Sequence, residues 1–300
     1  MIYYLRKRKK RVTEIKYSVS RLFPVHKKYP TPSTYGFIGI FLDTNEHSRT
    51  IIRDLRTKAP MLVQRAIYPD TQFPQMAYIY LMSSSGGILE GDTLETRIIA
   101  GKNTVSHITN QAATKIYKCT GKLSKQLVDI HIENNSYLEF IPNQIIPFRS
   151  SRFYQETRLK VEEGSTLIYS EIISAGRIAS DEKFQFQVCG LRINVYDNND
   201  RILFSDFMNL EPTANFSGTE FIFGNKTIYS IVYLITSPER SRKIELEFDR
   251  IVRKGKLYVS WSTLPNQAGL IVKMLSDSID DIKDVIHSIT DSSRQIILQK

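Results

Sequence analysis

The feature that most constrains this chain is one layout repeated four times in its middle. IIAGKNTVSHIT (98–109), IHIENNSYLEFIP (130–142), LKVEEGSTLIYSE (159–171) and INVYDNNDRILFSD (193–206) share it. Each holds an apolar-alternating run, a short turn rich in Gly, Asn or Asp, and a second alternating run. Alternation at period two sends successive side chains to opposite faces, so each unit reads as strand–turn–strand. The turn centres near Gly101, Asn135, Gly164 and Asn199 lie 34, 29 and 35 residues apart. Such a spacing implies stacked units whose inner faces build one continuous core. The expected fold is therefore mostly β, a helical, β-helix-like stack of strands. The 16 Tyr and 15 Phe agree, since aromatic side chains favour strands.

Helical signals come late. Ser237 can cap a helix, Pro238 suits its first position, and Glu239 is favourable in its first turn. Ile244, Phe248, Ile251 and Val252 then share a face, and Gly255 ends the segment. A second helix is expected from about Ser276 to Thr290, with Ile279, Ile282, Ile286 and Ile289 as its apolar stripe. Between them LYVSWSTL (257–264) reads as a strand. Nothing marks a linker. One β-rich domain is expected over residues 33–300, with two C-terminal α-helices, after a flexible arm over 1–32.

Charge is concentrated in that arm. Residues 1–35 hold ten Lys/Arg and one Asp/Glu, whereas 36–300 hold 31 and 30. The run RKRKKR (Arg6 to Arg11) reads either as a solvated tail or as a binder of an anionic surface or nucleic acid. The near-neutral body argues against nucleic acid as the main partner. Two cysteines, Cys119 and Cys189, make neither a disulfide framework nor a zinc site and suit a reducing compartment. The N-terminus has no apolar stretch after its charges, and no apolar run approaches the roughly 18 residues of a spanning helix. The expectation is a cytoplasmic protein without a membrane partner.

Enzyme signatures are missing. SSSGGILEGDTL (83–94) clusters Gly86, Gly87 and Gly91, but Asp92 stands where a phosphate loop needs Lys and Ser/Thr. It reads either as a tight bend near another backbone, or as a turn that fixes Asp92 as a site residue. ITNQAATKIYK (108–118) carries Gln111, Lys115 and Tyr117 on what could be a strand with a short helical turn. The acids Asp92, Glu139, Glu171, Glu182 and Asp206 could line an interior, or could sit on strand edges. The five histidines are dispersed, so a tight permanent metal site is not expected. No nucleophile elbow is present. A β-helical carbohydrate-active enzyme is a competing reading, without a sugar platform to support it.

Taken in order, these segments resemble the urease accessory protein family UreD (also UreH) over roughly residues 35–290. PMLVQRAIYPD (60–70) resembles its P-x-x-V-Q-R-x-x-Y-P segment. SSSGGILEGDTL and ITNQAATKIYK follow, then LEFIPNQIIPF (138–148). EIISAGRIASDEKF (171–184), with Gly176 and Arg177, resembles its L-G-R segment, and LIVKMLSDS (270–278) its V-R-x-L-S-D segment. The resemblance implies a β-rich stack with a small helical element and no turnover by this chain. It implies a maturation factor that binds urease apoprotein with the partner UreF and recruits the GTPase UreG. It also implies nickel in transit rather than a bound cofactor, passing toward the urease site through an interior route. On matching positions, Asp92, Glu171 and Asp206 are the carboxylates expected along that route. Three positions depart from the family pattern: Glu90 for a glycine, Gln144 for a common acid, and Ile178 for the usual proline.

Overall fold

A computed structural model describes residues 33–212, 219–251 and 257–299. The basic arm 1–32 and the expected helix stop at Gly255 lie outside the described residues. The described residues open with the hairpin β1 (Tyr35–Thr44) and β2 (Thr50–Lys58), followed by β3 (Met61–Val63) and β4 (Ala77–Ser83). Three arches follow. In the first, β5 (Thr93–Ala100) turns into β6 (Val105–Asn110), and the short β7 (Thr114–Ile116) leaves it. In the second, β8 (Ser124–Ile132) turns into β9 (Tyr137–Phe140), followed by β10 (Ile145–Pro147). In the third, β11 (Arg152–Val161) turns into β12 (Thr166–Ser174), followed by the two-residue pair β13 (Gly176–Arg177) and β14 (Glu182–Lys183). The chain closes with β15 (Val188–Tyr196), β16 (Ile202–Leu210), β17 (Ile228–Ile235), β18 (Tyr258–Thr263) and β19 (Gly269–Ser276).

Each arch crosses from one sheet to the other. The seven-stranded sheet runs β16-β15-β11-β8-β5-β1-β2, and the ten-stranded sheet has the main path β18-β19-β17-β12-β9-β6-β4-β3. The central pairs in both are parallel, so the stack is a β-solenoid of about four turns. The arch turns sit on one another: Asn103 donates its backbone N–H to Asn134, and Asn135 to Glu163. Asn135 and Gly164 hold positive φ at 58° and 73°, the left-handed geometry that Asn and Gly tolerate best.

The fourth repeated unit behaves differently. Its strands β15 and β16 pair antiparallel within the seven-stranded sheet and form a hairpin rather than an arch. The expected stack of four equal units is thus three arches plus a hairpin that ends the sheet.

The core lies between the sheets, where Ile40, Ile98, Ile130 and Leu159 face Ile79, Ile108, Leu138 and Leu167. A second core lies outside the ten-stranded sheet, covered by helix Pro238–Ile251 and the C-terminal helix Ile279–Leu298. Ile244 and Phe248 of the first, and Ile282, Ile286 and Ile289 of the second, form the expected apolar stripes. Because both faces are covered, every residue of β12 and of β17 is buried. The backbone N–H of Arg240 reaches the Ser237 hydroxyl at 3.4 Å, as a helix cap requires. The C-terminal helix is capped at Ser278 and runs to Leu298, past the expected end at Thr290. A short helix, Thr219–Phe223, was not signalled by any periodicity.

Candidate functional site

The segments that leave the C-terminal ends of β4, β6, β9 and β12 lie along one side of the solenoid, opposite the arch turns. They contain the motifs singled out above. A β-carbon on Gly87 would overlap the carbonyl oxygen of Lys115, and one on Gly86 would come within 3.0 Å of the Tyr117 hydroxyl. The two motifs are therefore in backbone contact, and Ile88 exchanges backbone hydrogen bonds with Lys115 (2.8 Å) and Tyr117 (3.0 Å). The Tyr117 ring meets Phe148 edge-on at 5.1 Å, and the Arg177 guanidinium lies over Phe148 at 4.3 Å. Arg177 in turn donates to Glu182 at 2.8 Å. Its hydrogen bonds hold that carboxyl down at about 2, against partial burial. At Gly176, φ is 133° and a β-carbon would overlap the Glu182 carbonyl, so glycine is required there.

Gly86, Gly87, Gln111 and Lys115 line a cavity of about 260 Å³ on this side, together with Thr96 and Gln126 from the facing sheet. The Gln126 side-chain oxygen is buried and has no hydrogen-bond partner among the described residues.

Asp92 and Gly91 stand beside this cavity but do not line it. One Asp92 oxygen accepts from the Thr34 backbone N–H at 2.8 Å, and the other from Leu89 at 3.1 Å. Gly91 has φ of 78°, the left-handed geometry that glycine adopts without strain. Asp92 thus fixes the glycine turn, and the structure does not bring it together with Glu171 and Asp206. Glu90, one of the departures, accepts from the backbone N–H of Thr120, Gly121 and Lys122 at 2.6–2.9 Å. Those hydrogen bonds hold its carboxyl at about 2 and pin the turn to the loop before β8.

Glu171 and Asp206 do come together. They line one cavity of about 510 Å³ with Asn209, Tyr229, Tyr233 and Lys273. The Glu171 Oε1 accepts from Gln155 Nε2 at 2.8 Å and from the Tyr169 hydroxyl at 2.9 Å. The Tyr233 hydroxyl donates to Asp206 Oδ2 at 2.9 Å. Burial pushes the Glu171 carboxyl up to about 7, against the hydrogen bonds from Tyr169 and Gln155 and with the Asp206 charge adding to the rise. Burial also pushes the Tyr233 phenol far above its ordinary range.

Strand register links the two cavities. Leu94, Gln126, Gln155 and Leu191 form one row across the seven-stranded sheet, and Thr96, Val128, Thr157, Ile193 and Asp206 form the next. On the facing sheet Phe140, Tyr169 and Tyr233 are neighbours, with Phe140 and Tyr169 stacked at 5.8 Å. Gln126 thus belongs to the motif cavity, its neighbour Gln155 holds Glu171, and Glu171 shares the second cavity with Asp206. Gln126 and Gln155 carry no sequence signal. In an alternating strand a glutamine looks like any solvent-facing residue.

The family match decides what this arrangement belongs to. The UreD urease accessory protein family matches residues 40–300. The urease accessory protein UreD of Cenarchaeum symbiosum is 33% identical over 248 residues, 82% of this chain and 87% of that protein. That of Photorhabdus laumondii is 35% identical over 260 residues, 83% of this chain and 79% of that protein. The chain belongs to the UreD family. Membership makes it a urease accessory protein with a part in urease maturation. Four of the segments that carry the resemblance, 60–70, 83–94, 108–118 and 138–148, supply residues to the motif cavity, whereas 171–184 and 270–278 do not line it. Among the described residues, no group of three or more His, Cys, Asp or Glu could hold a metal ion as a closed cluster, and no helix is long and apolar enough to cross a membrane.

Proposed function

We propose that this chain is a non-catalytic maturation factor that passes nickel through the space between its two sheets. On this reading it acts in the cytoplasm, binding urease apoprotein together with UreF and the GTPase UreG. Nickel is cargo on its way to the urease active site during GTP-dependent insertion. The observation that carries the reading is the polar line from Gln126 and Gln155 on one sheet to Glu171 on the facing sheet and Asp206 in the neighbouring row, set in a mainly aliphatic and aromatic interior.

The physics suits a conduit. A cation that enters must be held firmly enough to be drawn in and weakly enough to leave. A closed His/Cys cage would trap nickel, whereas single carboxylates, amides and hydroxyls spaced along a wall would not. Glu171 has neutral donors and a neighbouring carboxylate as its partners, so an arriving cation favours its ionised form and expels its proton. Asp92 enters this reading as the residue that fixes the glycine turn on the motif side.

The test is co-expression of urease with UreF, UreG and either the wild-type chain or Glu171→Gln. Retained complexes with nickel-poor urease would support the passage. Normal nickel content in the variant would remove Glu171 from it.

A further inference from the structure

We infer that the groove between β2 and the segment 64–68 docks an extended acidic segment, bearing apolar side chains, of a partner protein. This groove lies at the edge of both sheets, where β2 ends one and β3 the other. Its volume is about 1060 Å³, and Arg49, Arg53, Arg65, Leu55, Ile67 and Tyr68 line it, with Asp54 as the one lining carboxylate. Leu55 on the edge strand β2 and Ile67 in the segment after β3 are 41% and 40% exposed, large apolar side chains left open on one rim. Arginine, tyrosine and exposed aliphatic side chains together are the composition of interaction hot spots.

The groove is built for side chains rather than for strand addition. Arg53 has no partner in the β1–β2 register, because a β-bulge interrupts the pairing there. The Leu55 backbone N–H donates to the Asp54 carboxylate at 2.9 Å. A bulge and an occupied edge amide both blunt a sheet edge against another strand. Arg49 stacks over Tyr68 at 4.5 Å within the groove, whereas Arg53 is already paired with Asp43 of β1 at 3.1 Å.

Charge selects the occupant. With Arg53 offset by Asp43, Arg49 and Arg65 still exceed Asp54, the one lining carboxylate, which favours an acidic segment and steers its approach. The chain's own arm is excluded on the same ground, since residues 1–35 carry ten Lys/Arg and one Asp/Glu. The stretch around Asp280, Asp281 and Asp284 is acidic but forms the start of the C-terminal helix, packed on its own sheet.

The probe is a fluorescent peptide of roughly ten residues, alternating Glu with Leu or Val, titrated into the full chain in metal-free buffer. Expected is saturable binding that falls about tenfold in Arg53→Glu/Arg65→Glu and weakens separately in Leu55→Ser/Ile67→Ser. Circular dichroism and melting confirm that the variants fold. A Glu–Ser peptide of equal charge should bind more weakly, and this comparison on the wild-type chain decides the matter even if a variant misfolds. No binding, equal binding of the Glu–Ser peptide, or equally tight binding of oligothymidylate would overturn the inference. Because no nickel is present, failure here leaves the ion-passage reading intact.

Discussion

Glu139 and Glu171 are the same residue type, both deeply buried on the ten-stranded sheet, yet their surroundings shift the two carboxyls in opposite directions. Glu139 lies on the outer side, under the C-terminal helix. Its two oxygens accept a paired donation from Arg294 at 2.7 and 2.6 Å, plus His107 at 2.6 Å and Tyr137 at 2.8 Å. Burial pushes its carboxyl up, but the hydrogen bonds from His107 and Arg294 more than offset this and hold it at about 2. Glu171 lies on the inner side, hydrogen-bonded by a glutamine and a tyrosine beside the Asp206 carboxylate; Lys273 lines the same cavity without pairing to it, and burial carries Glu171 to about 7. The difference is the presence of a cation built into the fold. A buried carboxylate with its own arginine ties a helix to a sheet; one without responds to whatever cation enters.

That contrast can be broken from the structural side first. Arg294→Ala leaves Glu139 buried without its arginine, with only His107 and Tyr137 to hold it, at a cost of about 3 kcal/mol in unfolding free energy. Adding Glu139→Gln to it should recover much of the loss, because the unpaired charge is then removed. Urea titration of both variants checks this. Equal destabilisation by the single and double changes would mean that packing, not charge, dominates at this staple.

The inner carboxylate makes a prediction of opposite character. Its folded-state value of about 7 lies above the ordinary 4.5, so the folded chain holds an extra proton between them. Stability from this group is fully present below pH of about 4.5 and is lost as pH rises through about 7, by about 3 kcal/mol at most. Glu171→Gln should remove that slope and raise stability at pH of about 8. Unfolding free energies across this window, for both proteins, decide it. An unchanged slope would place the titration elsewhere.

Smaller effects sharpen the view of the motif side. Gly176→Ala forces a β-carbon into the Glu182 carbonyl at φ of 133° and should cost about 1–3 kcal/mol. Asp92→Ala removes two backbone contacts and should cost about 1–3 kcal/mol. Its effect on urease nickel should be weaker than that of Glu171→Gln, since Asp92 holds a turn beside the cavity. Thermal denaturation and nickel analysis of each variant test both statements. A loss of nickel from Asp92→Ala equal to that from Glu171→Gln would return Asp92 to the route itself.

Much of the fold was legible because solenoid arches have a local signature. Alternation, turn residue and alternation again placed the turns at Gly101, Asn135 and Gly164 correctly. The same signature could not separate the arches from the β15–β16 hairpin. Whether the second strand continues in the same sheet or crosses to the other depends on the twist of the turn and on packing beyond it. At the site, Glu171 had a signal of its own, a carboxylate inside the apolar run LIYSEIIS, and it proved buried in a strand covered on both faces. The Glu139–Arg294 pair had none, because 155 residues separate its members. The motif glycines suggested a close backbone approach, and the structure supplies its partner, the Lys115 carbonyl. That pairing could not be read from either motif alone.

The most direct test is the nickel content of urease matured with wild-type chain, Glu171→Gln or Gln155→Leu, measured in complexes shown to retain UreF, UreG and urease. A passage along the polar line predicts intact assemblies with nickel-poor, weakly active urease for both variants. Full nickel loading in both, with assemblies intact, would contradict the claim that the metal moves between the two sheets.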